Sequence, residues 1–328
     1  SIDMATVAIS GALTANATGG SLVSGTISAG AANLDALAAI ALADATVAGA
    51  LLADAGGAIS FGVLSGQDIQ VNAGGAISGT SAISPAATGG VFDRVVLNAG
   101  GNIGITGTVQ AVDVVDIDGV NIALGTVDSG AGNVLATGTA DIGGLLGGTH
   151  VLSGTAVNLD HGTIADNLTV TATAGNIAGT AGLTAGGTIE YRATGAIGFG
   201  SASASGINMA AGGAIAGGDL TAANAITLAG GTVAIGNASA ANIALTSGSD
   251  ILFNSLTSPD AIRLAVAGGT IGKNGGAGHI TSGGDIDLTA GALNLGDLAS
   301  GGSVTATATA GDAGFGTVNA ADAIIIAA

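Results

Sequence analysis

A recurring spacing of apolar residues constrains this chain more than any other feature of its sequence. In the C-terminal half, the first apolar residue of a short alternating phrase falls at positions 189, 207, 226, 243, 262, 286, 304 and 324. The successive intervals are 18, 19, 17, 19, 24, 18 and 20 residues. A period close to nineteen residues indicates a stack of repeats, because each repeat must bury its apolar face against its neighbours.

Within each repeat the residues alternate as they do on a β-strand. From Ile69 to Ala73 apolar and polar residues follow one another with period two, which predicts a strand with one buried face. A glycine pair at 74–75 ends the strand and permits a turn, and a second apolar anchor follows at Ile77. The same phrase begins again at Val95, Ile189, Ile207, Ile243 and Ile286.

A third apolar anchor precedes the first anchor of the next repeat by six residues, and this step occurs nine times. Three anchors per repeat predict three short strands and a triangular coil. We therefore predict an all-β fold, a right-handed parallel β-helix (β-solenoid) with about nineteen residues per coil. The nine pairs are Val63/Ile69, Val109/Val115, Val151/Val157, Leu183/Ile189, Leu220/Ile226, Leu256/Ile262, Ile280/Ile286, Leu298/Val304 and Val318/Ile324.

The repeats predict one continuous domain over residues 1–328, with less regular coils in 1–56 and regular coils in 57–328. We expect the chain to be a segment of a longer protein. Tyr191 falls on an inward position, where its size predicts a local change of register. In the N-terminal region the candidate anchors are Val7, Ile9, Leu22, Ile27 and Leu34.

The composition agrees with a thin core and excludes several partners. Apolar residues make up 48% of the chain but aromatic residues only 2%, so small and β-branched side chains must fill the interior. With four Lys and Arg and a net charge of −18, the chain lacks the basic patch that nucleic acid or an anionic membrane requires. Asp35 and Asp44 make the apolar stretch 34–53 a poor membrane span, so we expect no membrane insertion. No cofactor or metal is indicated.

Paired carboxylates are the strongest argument for an enzyme. Asp116 and Asp118 lie two residues apart on one predicted strand, and such a pair can serve glycoside hydrolysis or bind Ca²⁺. Asp285 and Asp287 repeat the pattern, which favours a solvated outer face. The three arginines, at 94, 192 and 263, fall on distant coils and do not converge, and we expect Glu190 and Arg192 to pair with each other or with neighbours on the outer face. We therefore predict that the chain is not an enzyme.

Each coil has three straight segments, or legs, each beginning at one of the three apolar anchors. The leg between the second and third anchors varies in length and is the candidate recognition surface. His150 and His279 follow long legs that begin at Gly143 and Gly272. They lie about six coils apart, so they cannot share a metal ion, and we expect both to be exposed turn residues. The candidate residues of this leg are His150, Lys273, Asn274 and His279.

Several phrases resemble the repeats of filamentous haemagglutinin-like exoproteins. They are Asn98–Ile103, Asn242–Leu245 and Gly284–Leu288, and the resemblance extends over residues 57–326. These proteins are large Gram-negative surface adhesins exported by two-partner secretion. The resemblance implies a right-handed β-helix in a secreted or cell-surface fibre.

Three functions remain open from the sequence. The first is a structural and adhesive shaft of a bacterial fibre that binds cell-surface glycans or proteins of a host or neighbouring cell through an extended surface. The second is a filament or surface-layer subunit that associates end to end through its open coil edges. The third is a polysaccharide-active β-helix enzyme.

Overall fold

The computed structural model describes residues 1–84, 93–179 and 181–328. The fold is all-β and forms a parallel β-solenoid of about 17 turns with roughly 19 residues per turn, as the spacing predicted. The chain divides into two compact units, Ser1–Leu159 (unit 1) and Asp160–Ala328 (unit 2). Among these residues no helix has the length and hydropathy needed to cross a bilayer.

In the earlier coils of unit 1 the second and third legs form one long strand, and in the strands 103–119, 122–136 and 139–154 the first leg joins them. For example, Leu22–Ala29 pairs with Ile40–Val47, and the pairing is interrupted where the coil turns its corner. The strands are β1 (Ile2–Ala8), β2 (Ala12–Ala17), β3 (Leu22–Ala29), β4 (Ala31–Ala36), β5 (Ile40–Val47), β6 (Ala50–Ala55), β7 (Ile59–Ser65), β8 (Asp68–Ala73), β9 (Ile77–Ser84), β10 (Arg94–Ala99), β11 (Ile103–Gly119), β12 (Ile122–Ala136), β13 (Thr139–Gly154) and β14 (Ala156–Ile164), which ends within unit 2.

In unit 2 most coils have three separate short strands, one on each face. These strands are β15 (Leu168–Ala172), β16 (Ile177–Ala178), β17 (Gly182–Ala185), β18 (Thr188–Ala193), β19 (Ile197–Phe199), β20 (Ser201–Ala211), β21 (Ile215–Gly217), β22 (Leu220–Gly230), β23 (Val233–Ala234), β24 (Asn237–Ser239), β25 (Asn242–Ser247), β26 (Ile251–Phe253), β27 (Ser255–Ser258), β28 (Ala261–Val266), β29 (Thr270–Lys273), β30 (His279–Ser282), β31 (Ile286–Ala290), β32 (Ala292–Asn294), β33 (Leu298–Ser300), β34 (Val304–Ala308), β35 (Ala313–Gly314), β36 (Val318–Ala320) and β37 (Ile324–Ala327).

The predicted anchors stack on one another in unit 2. Each first anchor pairs in parallel with the first anchor of the next coil, and all but the last are buried. Columns of Ile, Val and Leu thus form the core, as the thin-core composition requires. The stacked residues are Ile189, Ile207, Ile226, Ile243, Ile262, Ile286, Val304 and Ile324.

Two of the nine six-residue pairs were predicted wrongly in unit 1. Val63 is 37% exposed and Leu64 takes the inward place, because the corner at Gly62 shifts the alternation by one residue. Val151 is 41% exposed, whereas His150 and Leu152 on either side of it are buried. A shift of one residue exchanges the two faces of a strand, so a corner can reverse an otherwise regular pattern.

Residues 1–56 form coils with even spacing. Ile2, Leu22, Ile40 and Ile59 stack in succession at intervals of 20, 18 and 19 residues. The apolar stretch 34–53 belongs to β4, β5 and β6. Of the candidate anchors in this region three are buried, and Ile9 is 41% exposed. The three buried ones are Leu22, Ile27 and Leu34.

Large inward rings lie over glycines of an adjacent coil. Phe61 pairs with Gly79 and Phe199 with Gly217, and a Cβ on either glycine would overlap the ring. Tyr191 points inward, as predicted, and is 2% exposed. Its pairing with the neighbouring coils is regular, so the predicted local change of register is wrong.

Candidate functional site

A column of polar side chains marks one corner of unit 2. Asp219 Oδ1 accepts hydrogen bonds from the backbone N and Nδ2 of Asn237, at 2.7 and 3.1 Å. Ser255 Oγ donates to Asn237 Oδ1 at 2.7 Å, and Ser255 is in register with His279. Each member therefore bonds to, or stacks on, the member in the next coil. This corner column consists of Asp219, Asn237, Ser255, His279, Asp297 and Thr317.

His279 is a member of this column, and its imidazole is half exposed. The backbone N–H of Asp297 donates to Nδ1 at 2.9 Å, so Nδ1 is the unprotonated nitrogen of a neutral ring. The Asp297 carboxylate lies 3.5 Å from the same nitrogen and forms an ion pair only when the ring is protonated. His279 therefore links two coils through this hydrogen bond.

Lys273 and Asn274 begin the inserted loop before His279. The loop turns at Gly275 and Gly278, whose φ angles are 75° and 67°. Asn274 donates from Nδ2 to the carbonyl oxygen of Ile235 at 3.0 Å and from its backbone N to Phe253 at 2.9 Å. The asparagine thus holds the loop against earlier coils, which leaves the exposed Lys273 as the group of this leg most open to a ligand.

The other three candidate residues, Lys273, Asn274 and His279, all belong to unit 2. His150 belongs to unit 1 and is fully buried, so the prediction of an exposed turn histidine is wrong. The sequence reasoning assigned the inward place to the apolar Val151 instead. Gly132 is the sequence signal that could have shown His150 to be buried. This glycine lies in the preceding coil at a position where earlier coils have a buried apolar anchor, and it is in register with His150.

The paired carboxylates take part in bonds between coils. Asp116 accepts from Asn133 Nδ2 at 2.9 Å, and Asp285 accepts from the backbone N of Ser303 at 2.8 Å. Asp287 lies 3.4 Å from Arg263. These acids face outward, as the alternation predicted, and three of the four hold neighbouring coils together.

The three arginines also pair with carboxylates. Arg94 forms a two-point contact with Asp68 at 2.7 and 3.2 Å, and this carboxylate raises the pKa of the guanidinium. Arg192 bonds to Glu190 on its own strand at 2.7 Å, which confirms the predicted pair. Both pairs are partly exposed, so each contributes at most about 1 kcal/mol to stability.

An open groove of about 900 Å³ crosses six coils of unit 2, and sequence reasoning did not find it. Its wall consists mainly of alanine, glycine and threonine at the end of the first leg, with Arg192 as its one cation. Six coils at ~4.8 Å spacing give it a length of roughly 24 Å. One lining residue from each coil is Thr171, Arg192, Ala210, Ala229, Thr246 and Ala267.

Within the described ranges, no three His, Cys, Asp or Glu side chains come together as ligands for a metal ion. Comparisons of the chain with protein-family models, with curated proteins and with solved structures found no match. The resemblance to filamentous haemagglutinin-like repeats therefore stays a hypothesis.

Proposed function

We propose that this chain is a structural and adhesive shaft of an extracellular or cell-surface fibre. The observation that carries the proposal is the use of outward polar side chains, which bond mainly to the next coil. In unit 1, Asn98 bonds to Asn72 at 3.0 Å, and Gln110 bonds to Asp128 at 2.9 Å. Such bonds reinforce the backbone pairing along the stacking direction, which is the requirement for a load-bearing element.

Corner serines reinforce the same direction in unit 2; Ser258 and Ser282 are buried and Ser300 is half-buried. The hydroxyl groups of Ser258, Ser282 and Ser300 donate to backbone oxygens of the preceding coil at 2.5, 3.0 and 2.7 Å. Each serine lies at the corner between the third and first legs, where the strand pairing is interrupted. These bonds add a side-chain link between coils at this corner, and the carbonyl group of Ala241 also accepts from the backbone N–H of Asp260 at 3.2 Å.

The groove of unit 2 supports the adhesive part of the proposal. Its length suits a chain-like ligand such as a cell-surface glycan or an extended protein segment. The net charge of −18 disfavours polyanions, so neutral glycans are the class we expect it to bind. Threonine hydroxyl groups of the groove wall supply hydrogen bonds to such a ligand.

Antibodies and a glycan array test this proposal. We expect an antibody against the chain to label surface fibres on intact cells, and the purified chain to bind neutral glycans on an array. Ala229→Trp fills the groove and is expected to abolish that binding. Ala123→Trp is the matched control, because Ala123 is also an exposed outward alanine but lies on β12 in unit 1.

Three results would count against the proposal. Labelling confined to lysed cells would contradict the extracellular location. Equal glycan binding by both tryptophan variants would show that the groove is not the binding site. Depolymerisation of a polysaccharide by the wild-type chain, lost in the Asp116→Asn, Asp118→Asn double variant, would establish the enzyme alternative instead.

One observation favours end-to-end assembly as a second candidate function. The outer edge of β37 has no strand partner in the part of the chain that the structure describes. Ile324 and Ile326 are 49% and 47% exposed, although the residues they stack on, Val304 and Ala306, are fully buried. In the isolated chain, an unpaired edge with exposed apolar side chains is a template for a further coil, whether from another copy or from residues that follow in a longer chain.

We expect self-association of this kind to depend on Ile326. Sedimentation velocity should show larger species as the concentration of the wild-type chain rises, whereas Ile326→Lys should remain monomeric at the same concentrations. Thr305→Lys, on the outward side of the neighbouring strand, is the control and should behave as the wild type does. A wild-type chain that is monomeric at all concentrations would exclude this function.

A further inference from the structure

His150 occupies a core position of unit 1. It belongs to an inward column of residues that stack from coil to coil, and its side chain is fully buried. The preceding member of the column is Gly132, and a Cβ on that glycine would overlap the imidazole. The ring thus fills the space that the glycine leaves. The column consists of Ile69, Val95, Val115, Gly132 and His150.

The hydrogen bonds of His150 define its protonation. Nε2 lies 2.9 Å from the carbonyl oxygen of Leu146, which can only accept, so Nε2 carries the hydrogen of a neutral ring. Nδ1 is buried and has no hydrogen-bond partner. Ser129 is 3% exposed and lies beside the same glycine, and its Oγ also has none. A second proton on the ring would therefore be placed at a buried atom without an acceptor.

Few charges act on this ring. Burial lowers the pKa of His150, while the bond to Leu146 and the charge of Asp128 oppose that effect. Asp128 lies on β12, the strand that pairs with the histidine's own strand. The segment from Thr149 to Gly154 contains no other titratable side chain.

The leg that leads to His150 is well suited to local opening. It contains glycines at 143, 144, 147 and 148, and Gly147 has a φ of 106°, in the left-handed region. Glycine loses more conformational freedom than any other residue when it is ordered, so this leg costs more to keep closed. A groove of about 410 Å³ lies beside it and is lined by Asp128, Ser129 and Gly147, so water has access to the corner.

We propose that His150 is an acid-sensitive contact that controls opening of the coil Thr139–Gly154 in unit 1. Protonation at Nδ1 makes the buried ring a cation without a partner, and the ring leaves the column. The glycine-rich leg then opens while the other coils stay paired, because each coil contacts only its neighbours.

The direction of the pH effect follows from the lowered pKa. In the open coil His150 has its ordinary pKa of 6.5, so the open state binds the proton more readily than the closed state. The contact is fully stabilising above about pH 6.5 and weakens as the pH falls towards the lower pKa of the closed state. Opening should increase by up to about tenfold for each pH unit in that interval.

Hydrogen exchange of amides in residues 139–154 tests this proposal on the full chain. After correction for intrinsic exchange rates, we expect protection to fall by up to about twentyfold between pH 7 and pH 5 in the wild type. His150→Phe keeps a ring over Gly132 without a titratable group, so its protection should not change over this interval. His161→Gln removes an exposed histidine and should behave as the wild type does.

Equal loss of protection in the wild type and His150→Phe would overturn the proposal, as would constant protection in both. If His150→Phe does not fold, imidazole NMR of the wild type supplies the same test. We expect the His150 ring to stay in the Nε2–H form at pH 7 and to take up a proton only as residues 139–154 lose protection. A ring that titrates without loss of protection would contradict the mechanism.

Discussion

Replacing Gly217 with valine is expected to destabilise unit 2 by about 1–3 kcal/mol, because the new side chain must occupy the space of the Phe199 ring. The φ of Gly217 is not positive, so the effect comes from packing and not from backbone strain. Thermal or urea unfolding, followed by circular dichroism, measures the loss. Gly198→Val is the matched control, since it lies on the same strand as Phe199 and a Cβ there meets nothing within 4 Å.

A double-variant cycle shows whether the ring and the glycine act as one unit. Phe199→Ala alone leaves a cavity and should cost about 3–5 kcal/mol. Adding Gly217→Val to Phe199→Ala should then cost less than it does in the wild type, because the valine enters that cavity. Two results would show that the Phe199 ring does not depend on the space at Gly217. One is that the losses of unfolding free energy in the two single variants simply add in the double variant, and the other is that Gly217→Val is as stable as Gly198→Val.

The second large effect is expected at Tyr191. Its side chain is 2% exposed and lies in a column between Val170 and Met209. Tyr191→Ala removes a large buried ring and should cost about 3–5 kcal/mol. Tyr191→Leu should cost distinctly less, because the next coils of the column hold leucine at 228 and 245. Glu190→Ala, at the adjacent outward position, loses only a partly exposed ion pair and should change stability by about 1 kcal/mol at most.

Alkaline titration gives an independent measurement of the Tyr191 environment. The chain has one tyrosine and no tryptophan, so absorbance near 295 nm reports on this residue alone. Burial raises the pKa of Tyr191 well above its ordinary value of 10.0. The unfolded state therefore releases the proton first, and stability should fall as the pH rises above about 10. Ionisation before unfolding would show that the side chain is accessible to water.

The coil, its length and most of its core could be predicted from the sequence. The anchors from Ile189 to Val304 lie where the spacing predicts because β-branched residues alternate with polar ones and glycine pairs mark the turns. The spacing failed at Val63, where a corner glycine reverses the alternation. Such a corner has no distinctive sequence signal in a chain with 62 glycines.

The candidate site was harder to predict because it depends on how coils align. His150 is polar, so sequence reasoning placed it outside, and only the stacked column shows that Gly132 leaves room for its ring. The groove of unit 2 likewise appears only when small residues from six coils, such as Ala210 and Ala229, are brought side by side. Lys273, Asn274 and His279 do lie together, as one inserted leg predicts, but two of them hold neighbouring coils in place.

The stacking of equivalent residues has a consequence for how such a chain changes in evolution. Ile226 pairs with Ile243, so residues 226–242 make up one complete coil. The edge that this coil presents to the preceding coil and the edge that it presents to the following coil are nearly interchangeable. Duplicating or deleting this stretch would present the flanking coils with partners of the same kind, whereas removing half of it would turn apolar side chains outward. Gene duplication in steps of one coil can therefore lengthen or shorten the protein without redesign of the rest.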